Sequence, residues 1–138
     1  MIFFQLFSND PKIVTRAAGE YLFRSGDHGD RMYVLTVGSA EVVVADTVLE
    51  SLEPGAIIGE TSVIEPGPHM AAVRALSDCE FVEIDAARFE FLVAQMPHFA
   101  TSVLKSTTRR LRAMDRRLAA SVPPPAPLAT PGSQPSAN

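Results

Sequence analysis

The sequence of 138 residues has one cysteine, no long apolar run and no excess of basic residues. The single cysteine, Cys79, excludes an internal disulfide and is consistent with a reducing compartment. No uninterrupted apolar run approaches the ~18 residues of a membrane span, so we expect no membrane partner. The formal net charge of −4 argues against direct nucleic-acid binding, because such binding needs a basic face.

Targeting and catalytic signatures are also missing. The first residues, MIFFQLF, carry neither a basic leader nor a small-residue cleavage site, so we expect no signal peptide and a cytoplasmic location. The sequence contains no Walker loop and no nucleophile elbow. Its histidines, His28, His69 and His98, are scattered without the spacing of metal ligands. We therefore expect no enzymatic activity and no bound metal.

Short β-strands dominate the region from about residue 16 to 85. Runs of Val, Leu, Tyr and Phe alternate with turn residues such as Gly26-Asp27, Gly38-Ser39, Ala45-Asp46 and Pro54-Gly55. Many short strands with regular turns indicate a sandwich or a rolled barrel, and no strand–helix alternation suggests a parallel sheet. We interpret Cys79, which lies in one of these strands, as a small buried residue and not as a reactive thiol.

From Ala86 the period of the apolar residues changes to that of helices, over residues 86–120. A short amphipathic helix stops before Pro97, and Pro97 then opens a longer one. The longer helix has a heptad-like seam, which could pack on the domain itself or on a second copy of the chain. The residues of this seam are Ala100, Leu104, Thr107, Leu111, Met114 and Leu118.

The two ends of the chain are predicted to lie outside the main domain of residues 16–120. Residues 1–15 form an N-terminal segment, in which four apolar residues cover one end of the core and Asn9–Pro11 form a turn. The four are Phe3, Phe4, Leu6 and Phe7. Residues 121–138 are rich in Pro, Ala and Ser, so we expect disorder from Pro123. A Pro-rich tail can also be a ligand for a partner's aromatic groove.

Three segments together resemble the cyclic nucleotide-binding domain, the sensor domain of catabolite activators, protein kinase A regulatory subunits and cyclic-nucleotide-gated channels. They are GEYLFRSGDHGDRMYVLTVGSAEVVV, IIGETSVI and VRALSDCEFVEIDAARFEFLV, and the resemblance extends from Ala17 to Arg117. It implies a mainly β fold, an eight-stranded β-roll with helices at its ends. It also implies that a cassette binds the phosphate and ribose of a cyclic nucleotide while the long helix closes over the base.

The segment IIGETSVI carries the residues that the resemblance assigns to the ligand. Gly59 allows a tight turn close to a ligand. Glu60 can accept a hydrogen bond from a ribose 2′-hydroxyl. Thr61 and Ser62 are expected in the first turn of a short helix whose N–H groups suit an anion, and the Ser62 hydroxyl could reach a phosphate oxygen.

The sequence departs from the family pattern in the next part of the cassette. The family has an arginine and later a Thr or Ser, whereas this chain has His69, then Met70 and Ala71, and Ala72 in place of the hydroxyl residue. A guanidinium offers a fixed fork of donors and a permanent charge, and a histidine offers neither. Three interpretations stay open for His69: a neutral surface residue of a decayed site, a weak phosphate contact, or part of a site changed toward a different ligand.

The long helix suggests one further ligand residue and a mode of assembly. Arg110 lies in an RRL sequence similar to that of the catabolite activators, so it could pair with Glu60 or contact a ribose. Met114 and Leu118 are expected to extend beyond the roll, which favours a homodimer through this helix. The other cations of the helix are interpreted as a solvated face.

Two functional hypotheses of different classes follow. The first is a stand-alone regulatory module that senses a cyclic nucleotide, cAMP before others, and signals through its C-terminal helix. The second is a ligand-independent interaction or dimerisation domain with a decayed nucleotide site. A lesser alternative is a fragment of a transcription regulator without its DNA-binding domain. The sequence indicates no particular downstream protein partner.

Overall fold

The computed structural model describes residues 12–121 of the chain. Three predictions lie outside these residues. They are the packing of Phe3–Phe7 on the core, the turn at Asn9–Pro11 and the disorder of the tail from Pro123.

Within residues 12–121 the chain forms ten strands, several of them only two or three residues long. In chain order they are β1 (Lys12–Arg16), β2 (Tyr21–Phe23), β3 (His28–Gly29), β4 (Met32–Val37), β5 (Ala40–Val44), β6 (Thr47–Leu52), β7 (Ile57–Ile58), β8 (Gly67–Pro68), β9 (Ala72–Ala75) and β10 (Cys79–Ile84).

Eight of these strands form two four-stranded sheets, in the orders β1-β10-β4-β7 and β2-β9-β5-β6, and β3 pairs with β8. Neighbouring strands are antiparallel in every sheet. The predicted mainly β roll is therefore confirmed. It begins earlier than the predicted boundary at residue 16, because Lys12–Arg16 pair with the last strand.

Tight turns connect consecutive strands of the roll. Ala45 and Asp46 have positive φ values of 49° and 63°, the backbone geometry that a two-residue hairpin between β5 and β6 requires. Gly38 has a φ of 92°, and a Cβ there would come within 2.3 Å of the Asp78 carbonyl oxygen. This turn therefore needs glycine both for its backbone conformation and for the approach of the chain that follows β9.

The apolar residues of the alternating strands form two clusters. One lies between the sheets around Leu35, Val73 and Phe81, and it includes the buried thiol of Cys79, as predicted. Burial raises the pKa of this thiol, which keeps it protonated and unreactive at neutral pH. The other cluster lies where the helices cover one end of the roll, around Met32 and Ile84.

The described residues form three helices, and the last two lie where the sequence predicts, on either side of the break before Pro97. They are α1 (Glu60–Ile64), α2 (Ala86–Gln95) and α3 (Pro97–Ser121). The Asp85 carboxylate accepts a hydrogen bond from the Arg88 backbone N–H at 2.8 Å and so caps α2. Pro97 opens α3, where its missing N–H costs nothing. In the part of the chain that the structure describes, we find no helix with the length and hydropathy to cross a membrane.

The face of α3 that packs on the roll differs from the predicted seam. Phe99, Val103 and Ser106 are the buried residues of this helix. Three leucines of the predicted seam are more than half exposed: Leu104 (63%), Leu111 (58%) and Leu118 (65%). These three leucines are therefore mainly exposed and not packed in the core of the roll.

Two phenylalanines at the helical end of the roll differ in burial, so their alanine variants test the packing of the helices. The side chain of Phe99 is fully buried, whereas that of Phe91 is 48% exposed. We expect Phe99→Ala to lower the free energy of unfolding by about 3–5 kcal/mol, because it leaves a cavity against the roll. The matched variant Phe91→Ala should stay within about 0.5 kcal/mol. Urea unfolding followed by circular dichroism measures both, and equal losses would contradict this packing.

Candidate functional site

The chain turns sharply at Gly59, between β7 and α1. Gly59 has a φ of 75°, and a Cβ there would lie 3.0 Å from the Arg31 carbonyl oxygen. Glycine adopts this conformation without strain and fits the close approach to the neighbouring strand. Thr61 and Ser62 lie in the first turn of α1, as the sequence predicts, and Glu60 and Ser62 are buried there. Thr61 lies between them and is exposed.

The buried carboxylate of Glu60 is bound by two residues of α3. The Nη1 of Arg110 donates to Oε1 at 2.8 Å and to Oε2 at 3.0 Å. The hydroxyl of Thr107 lies 3.0 Å from Oε2. The pairing of Arg110 with Glu60, one of the two contacts that the sequence leaves open, is present in the structure.

Arg110 also joins two strands of the roll to α3. Its Nε donates to the Oε1 of Glu50 on β6 at 2.8 Å, and its Nη2 donates to the Ile57 carbonyl on β7. The Arg110 side chain is only 14% exposed and that of Glu60 only 4%. The guanidinium is thus neutralised by two carboxylates, which a partly buried charge requires. Sequence reasoning missed Glu50, since nothing in the sequence pairs residues that lie 60 positions apart.

The backbone around His69 is held by the strand pair β3–β8. The His69 N–H donates to the Asp27 carbonyl, and the Gly26 N–H donates to the His69 carbonyl, both at 2.8 Å. These bonds place the imidazole on the ring of Phe23, with centroids 3.6 Å apart and planes 7° from parallel. The ring is half-buried, which differs from the interpretation as a surface residue.

The imidazole is also packed against the residues predicted to contact phosphate. Its Nδ1 lies 3.4 Å from the Ser62 hydroxyl oxygen. A Cβ at Gly29 would come within 2.3 Å of the His69 Nε2 and 2.8 Å of the Ser62 hydroxyl, so the absence of a side chain at Gly29 makes room for this arrangement. The Ser62 backbone N–H donates to the Gly59 carbonyl at 3.0 Å and is therefore engaged within the turn.

Burial lowers the pKa of His69 from its ordinary value of 6.5. Asp27 acts in the opposite direction and raises this pKa, and His28 lowers it further. Because desolvation of the charged imidazolium is the largest of these effects, His69 is mainly neutral at pH 7. This side chain therefore brings no permanent charge to the site.

A cavity of about 240 Å³ lies between these residues and α3. Seven of the eight predicted ligand residues line it: Gly59, Glu60, Thr61, His69, Met70, Ala71 and Arg110. The eighth, Ser62, contacts the His69 ring behind the wall. The sequence did not identify the other lining residues as part of a ligand site. They are Phe23, Val42, Leu49, Ile58, Pro68, Val73, Thr107, Leu111 and Met114.

The lining has a polar end and an apolar body. The polar groups are concentrated at Glu60, Thr107 and Arg110, and the walls from β5, β6, β9 and α3 are aliphatic. Such a cavity can bury a flat or apolar group and offer a carboxylate to a hydroxyl donor. Among residues 12–121, no three His, Cys, Asp or Glu side chains lie close enough together to hold a metal ion.

Comparison with known proteins gives a consistent result. A family model described as the cyclic nucleotide-binding domain matches residues 13–96. The chain is 26% identical over 106 residues to a CRP-like cAMP-activated global transcriptional regulator of Mycobacterium tuberculosis, covering 73% of this chain and 47% of the regulator. It is 33% identical over 96 residues to a cyclic nucleotide-gated potassium channel of Mesorhizobium japonicum, covering 70% and 26%. The chain thus spans less than half the length of these two relatives.

Solved structures share the fold. The N-terminal domain of a transcriptional regulator from Streptomyces coelicolor has 31% identity and a TM-score of 0.59, with 83% of this chain and 84% of that chain covered. The catabolite activator protein of Thermus thermophilus has 24% identity and a TM-score of 0.72, with 85% and 57% covered. At this identity the second similarity shows the fold alone.

The Arg110 ion pairs predict a large difference between two adjacent arginines. Arg110→Met keeps an apolar stem but leaves the buried Glu60 without its cation, so we expect a loss of about 3–5 kcal/mol in unfolding free energy. Arg109→Met, an exposed neighbour on the same helix, should change it by no more than about 0.5 kcal/mol. Chemical denaturation of both variants measures the difference. Similar stabilities would show that the Glu60–Arg110 contact does not hold α3.

Proposed function

The chain belongs to the cyclic nucleotide-binding domain family, and on this premise we propose that it is a regulatory module that binds a cyclic nucleotide weakly and signals through α3. The observation that carries this proposal is the contact of Glu60 with Thr107 and Arg110. The acid that the family pattern assigns to the ribose is bonded to the long helix. The cAMP-activated regulator among the relatives makes cAMP the first ligand to test.

A ligand at Glu60 would act on α3 directly. A ribose hydroxyl that donates to the carboxylate competes with, or rearranges, the bonds that Thr107 and Arg110 make with it. A ligand shifts a conformational equilibrium only as far as it binds one state better than the other. Here the two states would differ in how α3 is held against Glu50 and Glu60, so the helix is the element that responds.

The phosphate end of the cavity explains why we propose weak binding. Hydrogen bonds to charged groups contribute about 1.5–3 kcal/mol each. The loss of one such bond weakens binding roughly 10- to 150-fold, at ~1.4 kcal/mol per decade. His69 stands in place of the family's arginine and is mainly neutral. A micromolar site would thereby be weakened to tens of micromolar or beyond.

The affinity for cAMP should depend on pH through His69. The imidazolium can bond an anionic phosphate and the neutral ring does so less well, so binding is linked to proton uptake. Because the pKa of the free protein's His69 lies below 6.5, affinity should rise as pH falls from 8 to 5, by up to about tenfold. Calorimetric titrations across this range measure the change.

Two histidine variants make this pH test specific. His69→Ala should remove the pH dependence. His28→Ala, an exposed histidine close enough to influence the pKa of His69, should keep it. An affinity that is flat with pH in the wild-type protein would contradict the role of His69 as a phosphate contact.

A second candidate function is a ligand-independent dimerisation domain, and two observations favour it. The carboxylate of Glu60 is bonded to two residues of α3, which join the helix to the roll. Leu104, Leu111 and Leu118 are spaced seven residues apart and all more than half exposed. A seven-residue repeat of exposed leucines is suited to pack against a second copy of the same helix.

The dimer proposal predicts different effects for two substitutions near the end of α3. Leu118→Gln should raise the dimer dissociation constant at least about tenfold, because a leucine side chain contributes roughly 1.5–3 kcal/mol when buried. Arg116→Gln, also exposed but away from the leucines, should leave it within about threefold. Sedimentation equilibrium measures both. A wild-type protein that stays monomeric at high micromolar concentration would contradict the dimer.

A further inference from the structure

We infer that the cavity recognises the nucleoside part of its ligand and gives little stabilisation to a phosphate, so that at neutral pH an uncharged nucleoside binds as well as its cyclic phosphate. This inference rests on the proposed function, because it names the ligand class of the same site. The inference concerns the charge of the ligand, because the family relationship alone would predict an anionic ligand.

The charges around the cavity do not favour an anion. Among the described lining residues, Glu60 and Arg110 are the charged ones. The guanidinium of Arg110 donates to Glu60, to Glu50 and to the Ile57 carbonyl, which engages four of its five N–H donors and pairs its charge with two carboxylates. Two carboxylates around one guanidinium leave this group with a net negative charge. A phosphate that enters the cavity would therefore be repelled at this end.

The two donors of Ser62 that could meet a phosphate both have contacts within the protein. The Ser62 hydroxyl lies against His69 Nδ1, and the Ser62 N–H donates to the Gly59 carbonyl. The imidazole itself stacks on Phe23 and covers Gly29. It therefore occupies the space beside Ser62 where a cassette arginine would be expected to meet a phosphate. Binding an anion there would require breaking these contacts or protonating a buried ring.

The opposite end of the cavity retains what a nucleoside needs. A carboxylate has about four acceptor positions, and Arg110 and Thr107 take at most three of those on Glu60. The remaining position suits a ribose hydroxyl. The aliphatic walls contributed by Val42, Leu49 and Val73 can cover the face of a base.

The size of the cavity also favours the smaller ligand. Its volume of about 240 Å³ lies below the ~300–1,000 Å³ that is usual for small-molecule sites. A nucleoside lacks the phosphate and places no group at the end that His69 fills. The cavity has an acceptor for a hydroxyl group, apolar walls and an uncharged end that His69 fills. These features fit an uncharged nucleoside better than a cyclic phosphate.

The test compares each nucleoside with its own cyclic phosphate on the full chain. Calorimetry at pH 7.5 titrates the wild-type protein with adenosine, cAMP, guanosine and cGMP. For the base that binds better, we expect the nucleoside to bind within about threefold of its cyclic phosphate, or more tightly. In His69→Arg, the cyclic phosphate should gain roughly 10- to 150-fold relative to the nucleoside, because one charge-assisted contact is restored.

The possible outcomes separate this inference from the proposed function. A wild-type protein that binds the cyclic phosphate at least tenfold more tightly than the nucleoside overturns the inference and leaves the proposed function standing. A wild-type protein that binds none of the four compounds at millimolar concentration overturns both. The comparison within the wild-type protein needs no variant, so it decides the inference even when His69→Arg does not fold.

Discussion

The ion pairs of one arginine organise the functional end of this domain. Arg110 reaches from α3 to Glu60 on α1, Glu50 on β6 and the Ile57 carbonyl on β7. Four elements thus meet at a single guanidinium. Because the cation and Glu60 are both largely buried, removal of either one would leave an uncompensated charge, and this dependence holds the long helix against the roll. The same contacts neutralise the arginine and so decide the charge that a ligand would meet.

The two ends of the cavity present different chemical groups to a ligand. At one end the glycine turn and Glu60 keep the geometry that suits a ribose hydroxyl. At the other end Phe23, His69 and Ser62 pack on one another over Gly29, and the ring between them is mainly neutral. Under the inferred mode of binding, a site of this form recognises a hydroxyl group and not a charge. Its ligand would be selected by the ribose and the base, which makes the site more tolerant of the absence of a phosphate.

The long helix has three faces with different tasks. Phe99 and Val103 pack on the roll, and Arg110 continues this inward face with a charge instead of an apolar group. The exposed leucines around Leu111 form a second face, and four exposed cations form a third: Lys105, Arg109, Arg112 and Arg116. The inward face bonds to Glu60 and the leucine face is largely exposed, so under the proposed functions a change at the cavity would act on the helix that carries these leucines.

The sequence by itself determined the β-roll, the turn at Gly59-Glu60 and the start of α3 at Pro97, because turn residues and proline act through local backbone geometry. It did not identify the inward face of α3, because the inward positions include Ser106 and Arg110 and a more apolar stripe runs beside them through Leu104. Only the tertiary structure decided the pairing with Glu50 and the stack of His69 on Phe23. Both join residues far apart in the chain, and such contacts depend on how the sheets and helices pack, which local patterns do not encode.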